Sequence, residues 1–298
     1  MKNFKLLFLA LIFQFQVTSS FSQLSTLRGK IEAIIKDKKA TIGVGILNLD
    51  SEDTLNLNNS LHFPMQSVFK FHLALAVLNQ VDKGKLSLNQ MIFVKKLDLL
   101  PNLWSPMRDK YPEGNISIPL SEILQFTVAQ SDNVGCDLLF KLIGGPEKAN
   151  QYIHSVGIKD VAIKNIEAEI QTDWILQYKN WTTPSAATKL LEMFYKNKIL
   201  SKSSYDFLWK TMVQTSTGLT KIKGQLPKEA IVAHKTGYSG MNKGGLVGAT
   251  NDIGIIVLPN GKKFAIAFFI SNSLENEKIN DGIMAEITRI VWDYYSQD

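Results

Sequence analysis

Ser67 and Lys70 stand three apart in Ser67-Val68-Phe69-Lys70, so on a helix the hydroxyl and the amine share one face. A serine hydroxyl is a weak nucleophile near neutral pH and needs a neighbour able to take its proton. A lysine can do this where burial or nearby positive charge lowers its pKa. Lys70 lies between Phe69 and Phe71, where an unpaired ammonium is costly. Taken alone the pair is a weak signal, because most Ser-x-x-Lys pairs on helices are surface pairs. Two further clusters strengthen it. Ser131-Asp132-Asn133 falls at a break between two helical patterns, where short polar side chains can point into a cleft; read singly it is a helix cap. Lys235-Thr236-Gly237 ends a strand pattern, and Lys235 read singly is an edge-strand charge. Strand alternation aims Lys235 and Gly237 at one face and Thr236 at the other, so a shared role requires twist or the bend that Gly237 permits.

The elements that must bring these residues together follow from the hydrophobic pattern. Ser25 is placed to cap a helix carrying Leu27, Ile31, Ile34 and Ile35 on one face. Thr41–Leu49 reads as a buried strand, and Asp50-Ser51-Glu52-Asp53 turns the chain into a second strand from Thr54. Ser67–Val81 is apolar nearly all round and predicts a helix buried on most sides. Further helices are predicted at Ser121–Gln130, Asn133–Ile143, Pro146–Ser155, Pro184–Lys196 and Ser203–Gln214. No clean period survives between Ile158 and Trp181, and a loop of that length in a compact domain is usually functional. Strand signals return at Ile231–Thr236, Gly245–Ala249 and Ile253–Leu258, and Pro259-Asn260-Gly261 makes a hairpin turn into Phe264–Ser271. An amphipathic helix, Ile279–Trp292, follows. These strands form one antiparallel sheet only if the two ends of the chain meet, which leaves the helical middle as an insertion and a cleft between the two units.

Composition narrows the class. With 45% hydrophobic and 20% charged residues, collagen-like, disordered and polytopic membrane chains are improbable. A lone Cys136 cannot form an internal disulfide and reads as a small core residue on the helix after Asn133. His62, His72, His154 and His234 are scattered without metal-ligand spacing, and no phosphate-binding glycine loop is present, so no metal or other cofactor is expected. The net charge of +6 is spread along the chain, which gives poor grounds for nucleic-acid binding; Lys36-Asp37-Lys38-Lys39 reads as a solvated helix end. The first segment reads as an export signal: Lys2 and Lys5 precede the short apolar run Leu6–Phe15, and Ser20-Phe21-Ser22 offers small residues for cleavage between Ser22 and Gln23. A periplasmic or secreted protein without stable membrane association is the expectation.

Ser-x-x-Lys at Ser67, Ser131-Asp132-Asn133 and Lys235-Thr236-Gly237, in this order, make the chain similar to the class A serine β-lactamases. The segments Phe63-Pro64-Met65-Gln66-Ser67, Leu99-Leu100-Pro101, Trp104-Ser105-Pro106, Lys223-Gly224-Gln225-Leu226-Pro227 and His234-Lys235-Thr236-Gly237 resemble the VEB/PER-type extended-spectrum branch most, and the resemblance runs from about Gln23 to the C-terminus. It implies an α/β (α+β) fold: a five-stranded antiparallel sheet flanked by N- and C-terminal helices, with an inserted all-α domain. The expected division is 23–60 with 215–298 for the sheet domain and 61–214 for the helical one, including an active-site loop at about 158–181.

The same resemblance assigns roles. Ser67 would attack the lactam carbonyl and become acylated, with the backbone N–H groups of Ser67 and Tyr238 as the oxyanion hole. Ser131 would pass a proton to the departing nitrogen, tuned by Lys70 and Lys235. Asn133 would bind the substrate's side-chain amide, and Lys235, Thr236 and Ser239 its carboxylate. A lactamase must also hydrolyse the ester. Glu167-Ala168-Glu169-Ile170-Gln171 fits the family's Glu-x-x-x-Asn pattern with Glu167 as the base and Gln171 in place of Asn, which bears on the loop's shape and on the second contact to the water. Lys221 stands where several relatives carry an arginine for the carboxylate, and Trp104 is placed to line the cleft mouth. Gln66 and Tyr238 flank the site and are expected to shape specificity. A monomeric β-lactam hydrolase acting on penicillins and cephalosporins, including bulky oxyimino-cephalosporins, and so conferring antibiotic resistance, is the expectation. The competing readings are a D-Ala-D-Ala carboxypeptidase of the penicillin-binding type, which lacks the loop glutamate, and a β-lactam sensor that acylates and stops.

Overall fold

Alternation along the last long strand explains the layering. The computed structural model describes residues 23–296. In strand β10 (Lys263–Ser273), Phe264, Ile266, Phe268 and Ile270 face one side, while Ala265, Ala267 and Phe269 face the other. The first set packs with Leu27 and Ile31 of helix α1 (residues 23–35) and with Ile283, Met284, Ile287 and Val291 of helix α10 (Glu277–Ser296). The second set packs against the helical layer, led by helix α2 (Phe69–Asp82), in which Phe69–Leu78 are all buried. Both faces of the sheet are thus covered, so its strands read as almost continuous apolar runs.

The sheet is antiparallel, with order β2-β1-β10-β9-β8, built from β1 (Thr41–Asn48), β2 (Thr54–Leu57), β8 (Ile231–Tyr238), β9 (Val247–Val257) and β10. Strand β1 pairs with β10 through Thr41↔Ser271 to Asn48↔Phe264, which is where the two ends of the chain meet. Between β2 and β8 run two small sheets, β3-β7-β6 (Phe63–Pro64, Trp181–Thr182, Val161–Ala162) and β4-β5 (Met91–Val94, Ile116–Pro119). With them lie helices α3 (Pro106–Lys110), α4 (Leu120–Ala129), α5 (Asn133–Ile143), α6 (Pro146–Ser155), α7 (Glu167–Ile170), α8 (Pro184–Tyr195) and α9 (Lys202–Val213). Among the described residues no helix is long and apolar enough to cross a membrane. The export signal expected at residues 1–22 lies outside the described residues.

Three sequence expectations need correction. Ser25 lies inside α1, which is already helical at Gln23, because Leu24 also packs on the sheet and extends the apolar face beyond the capping position. Ser67 is not the first residue of the buried helix: Gln66–Val68 is a 3₁₀ turn and α2 begins at Phe69. The two strands expected at Gly245–Ala249 and Ile253–Leu258 are one strand, β9. The polar triplet Thr250-Asn251-Asp252 reads as a break, yet all three residues are buried within the strand. Asp252 accepts from His234 Nδ1 at 3.0 Å and from the Ile222 amide at 3.3 Å, and Asn251 donates to backbone carbonyls outside the sheet, so the ladder continues through them even though Thr250 Oγ1 and Asn251 Oδ1 are buried without a partner.

Candidate active site

The clusters singled out in the sequence converge on a cleft of about 630 Å³, in the range of small-molecule sites, lined by Ser67, Ser131, Asn133, Glu167, Thr236 and Tyr238 among others. Lys70 is the centre of the arrangement. Its side chain is fully buried, and Nζ donates to Ser67 Oγ (2.9 Å), Ser131 O (2.9 Å) and Asn133 Oδ1 (2.5 Å) while pairing with Glu167 Oε1 (2.8 Å). A buried ammonium with four oxygen partners is compensated in charge and in hydrogen bonding, which is the condition for keeping it in an apolar helix. Ser67 Oγ lies 3.4 Å from Glu167 Oε1, so one carboxylate oxygen reaches both the lysine and the serine.

Asp132 does what a capping residue does and more. It accepts from the Gly135 amide (2.7 Å) to start α5, and also from Ser105 Oγ and the Met107 amide (2.6 Å). Burial raises its pKa, against the pull of those donors. Its three anchors leave Ser131 in the left-handed region (φ +58°) with its hydroxyl turned toward β8. There Lys235 Nζ donates to Ser131 Oγ and Thr236 O, each at 2.9 Å. Lys235 is fully buried; burial first, and Lys70 second, lower its pKa to about 7. Its ammonium stands behind the cleft wall rather than in it. Thr236 lines the wall and shares a 2.6 Å hydrogen bond with Thr217 Oγ1, so alternation does separate it from Lys235, and the two act from opposite sides of the strand.

Gly237 lets β8 approach the nucleophile. A Cβ there would lie 2.5 Å from Met65 O and 3.3 Å from the Ser67 amide nitrogen, so only glycine allows the strand that carries Tyr238 to lie beside the Ser67 backbone. Gln66, between Met65 and Ser67, has φ +46° and is held by a 2.7 Å bond from its Nε2 to Gln177 Oε1.

Glu167 is buried at the start of α7. Its own amide and that of Ala168 donate to Asp137 Oδ1 and Oδ2 at 2.8 and 2.9 Å, a bidentate acceptor at the helix N-terminus. Burial is the main reason that the Asp137 carboxyl is raised to about 7. Glu169 turns outward, its carboxylate accepting from Asn165 Nδ2 and the Ile166 amide. Gln171 is exposed at the cleft rim; its backbone amide donates to Glu167 O at 3.2 Å as the cap of α7, while Asp137 and Lys70 hold the start of the loop and its carboxylate.

Three peripheral candidates line the cleft in different settings. Lys221 lines the cleft but is buried and ion-paired with Asp281 Oδ1 of α10, whose other oxygen accepts from Thr220 Oγ1; its charge is already neutralised. Ser239 lines the cleft, donates to Gly240 O (2.7 Å) and accepts from the Ala249 amide (3.0 Å). Trp104 lies at the mouth, 61% exposed, its indole N–H donating to Gln130 O at 3.1 Å. Sequence reasoning passed over Asp137, Trp174, Gln177 and Asp281. Asp137 alone left a trace, standing four residues after Asn133 and so on the same helix face. The histidines are structural in setting: His62 stacks on Trp181, His154 Nε2 donates to Val161 O, His72 is buried with a pKa lowered to about 4, and His234 is tied to Asp252. Cys136 is a buried core residue, and burial pushes its thiol well above the ordinary range.

Comparison with known proteins places the chain in a family of known fold. The model of the Beta-lactamase enzyme family matches residues 26–295. The chain is 47% identical to Beta-lactamase VEB-1 of Pseudomonas aeruginosa over 98% of this chain and 97% of that one. It is 43% identical to Extended-spectrum beta-lactamase PER-1 of the same organism, over 95% and 92% respectively. The crystal structure of TLA-1 extended spectrum Beta-lactamase superposes with a TM-score of 0.89 at 53% identity, covering 91% of this chain and 98% of that one. With its fold, its serine–lysine pair and its relatives in agreement, the chain belongs to the β-lactamase enzyme family and is a class A serine enzyme.

Proposed function

We propose that this enzyme opens the β-lactam ring of penicillins and cephalosporins through an acyl-enzyme on Ser67, and that Glu167 activates the water that releases it. The observation carrying this reading is the single Glu167 oxygen that lies 2.8 Å from Lys70 Nζ and 3.4 Å from Ser67 Oγ. A carboxylate so placed can share the Ser67 proton with Lys70 and, once the ester has formed, alone take one from a water beside it. The tetrahedral oxygen is received by the amides of Ser67 and Tyr238. Ser131, with Lys235 behind it at 2.9 Å, donates to the leaving nitrogen. Thr236 and Ser239 receive the substrate carboxylate within the field of Lys235, Asn133 takes the side-chain amide, and Trp104, Gln171 and Lys221 border the cleft. Neutralised by Asp281, Lys221 acts as wall rather than as an anion hook.

The names of the relatives favour extended-spectrum activity. The cleft supports that reading through its broad apolar border of Trp104, Ile170, Trp174 and Leu219, against which a bulky oxyimino side chain can lie. The cleft falls between a sheet domain, 23–60 with 215–298, and a helical domain, 61–214. The reading includes export, with residues 1–22 removed and the enzyme acting in the periplasm or outside the cell as a resistance factor.

Steady-state turnover of a chromogenic cephalosporin by the purified enzyme, with chelator present, tests it. A stoichiometric burst with no steady state favours a sensor or a peptidase. Comparing kcat/KM for a penicillin, a cephalosporin and an oxyimino-cephalosporin tests the spectrum, and strong preference for the penicillin refutes it.

A further inference from the structure

The two oxyanion-hole donors come from different elements. The Ser67 amide belongs to the 3₁₀ turn Gln66–Val68, and the Tyr238 amide to the end of β8. Their separation must be fixed to a few tenths of an ångström, because the donors have to meet the oxygen where it sits in the transition state rather than in the substrate. Backbone bonds do not supply that link: the Met65 amide donates to Asn180 O, away from the five-stranded sheet. Among the described residues, the hydrogen bonds joining Pro64–Val68 to that sheet both come from Asn251 of β9, whose Nδ2 donates to Pro64 O at 2.7 Å and to Met65 O at 3.0 Å.

The register explains the placement. Asn251 is directly opposite Gly237, and the next pair is Thr250↔Tyr238. Residues directly opposite in an antiparallel pair face the same side. Gly237 therefore leaves room for the Met65 carbonyl, and Asn251 provides the donor that holds it. Asn251 is fully buried, and its Oδ1 has no hydrogen-bond partner. An apolar residue would avoid that orphaned acceptor, so the side chain is explained by its two N–H groups rather than by packing. The neighbouring Gln66 sits at φ +46°, a region that non-glycine residues occupy only when the surroundings enforce it. Releasing Met65 lets that turn relax and swings the Ser67 amide.

We propose that Asn251 is a positioning residue of the reaction, fixing the Ser67 amide relative to the Tyr238 amide by anchoring the backbone ahead of the nucleophile to β9. The proposal rests on the reading of those two amides as the oxyanion hole. It touches no substrate; it acts through Met65 and Gln66.

Asn251→Leu keeps the branched four-atom shape and removes both donors; Asn251→Thr keeps a hydroxyl donor and suits a strand. The single-turnover acylation rate is measured for each by stopped flow, alongside the Kd for non-covalent substrate in a Ser67→Ala background and a thermal melt. Acylation is expected to fall about 100-fold in Asn251→Leu and about tenfold in Asn251→Thr, whose shorter side chain has one donor for two carbonyls, while substrate Kd changes under threefold at a temperature where both are folded. Acylation within threefold of the parent in either folded variant overturns the proposal, as does a parallel loss of acylation and of substrate binding. If Asn251→Leu does not fold, Asn251→Thr decides by the same criteria. A covalent adduct on Ser67→Ala alone would instead refute the underlying serine reading.

Discussion

Removing the Asp137 carboxylate tests whether the loop that holds Glu167 is set by α5. In Asp137→Ala the amides of Glu167 and Ala168 lose acceptors at 2.8 and 2.9 Å. An orphaned buried amide costs about 1–3 kcal/mol, so two would cost ~2–6 kcal/mol if the loop stayed in place. Two effects reduce this: α7 is only four residues long and can turn toward water, and the variant no longer buries a carboxylate whose pKa burial has raised to about 7. A net loss near 2 kcal/mol is expected, which lowers Tm by ~3–4 °C in a protein of this size. The kinetic effect should be selective. Acylation can still draw on Lys70, whereas deacylation depends on Glu167 facing the ester, so the deacylation constant from pre-steady-state bursts should fall ~10–100-fold with acylation changed by less than ~5-fold, taking a general base as worth 10²–10⁴. Asp137→Asn, which keeps one acceptor, should lie between. The sign with pH also follows: a carboxyl raised above its unfolded value of 3.8 contributes less stability as pH climbs from about 4 through 7, and Asp137→Asn removes that dependence. Unchanged deacylation in folded Asp137→Ala, or equal loss of both steps, would refute the assignment of the loop geometry to Asp137.

Other tests address neighbouring parts of the site. Glu167→Gln should keep a hydrogen bond to Lys70 but remove the base, so mass spectrometry should find the acyl-enzyme accumulating while turnover drops ~10²–10⁴-fold; normal turnover would exclude Glu167 from the mechanism. Lys235, lowered to about 7 by burial and by Lys70, is charged below that pH, so kcat/KM should fall on its alkaline side with an apparent pKa near 7. Lys235→Arg, whose guanidinium does not titrate, should move that limb above pH 9. Because the unfolded lysine binds its proton up to about 10.5, this group makes the fold less stable as pH drops from 10.5 to 7, with no further change below. Lys221→Met should leave kcat/KM for a penicillin within about threefold but destabilise by ~3–5 kcal/mol through the stranded Asp281, and Lys221→Met with Asp281→Leu should recover most of the loss on thermal melting. A tenfold rise in KM for the single variant would restore Lys221 as a carboxylate ligand. Gly237→Ala, which drives a methyl to 2.5 Å from Met65 O, should reduce acylation at least tenfold without loss of folding; parental rates would mean that β8 and the Ser67 turn have slack.

What was legible in the sequence was whatever rests on local pattern. The helices Asn133–Ile143 and Pro146–Ser155 begin and end where their caps dictate, because Asp132, Gly144-Gly145 and Pro146 act within a turn of themselves. Ser67, Lys70, Ser131 and Lys235 are legible as motifs, and so is the need for the two ends of the chain to meet in one antiparallel sheet, which the β1–β10 pairing fulfils. What stayed hidden are polar residues whose partners lie far along the chain. Asn251 serves carbonyls 186 and 187 residues away and Asp252 a histidine 18 residues away, so in a one-dimensional reading both look like a strand break. Lys221 looks like a free cation because its neutraliser comes from α10, sixty residues later. The same logic explains why Gln171 can replace the expected asparagine. Asp137, a residue whose sequence neighbours announce only a helix, accepts from both amides at the start of α7, so the loop is held there from outside and needs no side-chain bond from Gln171.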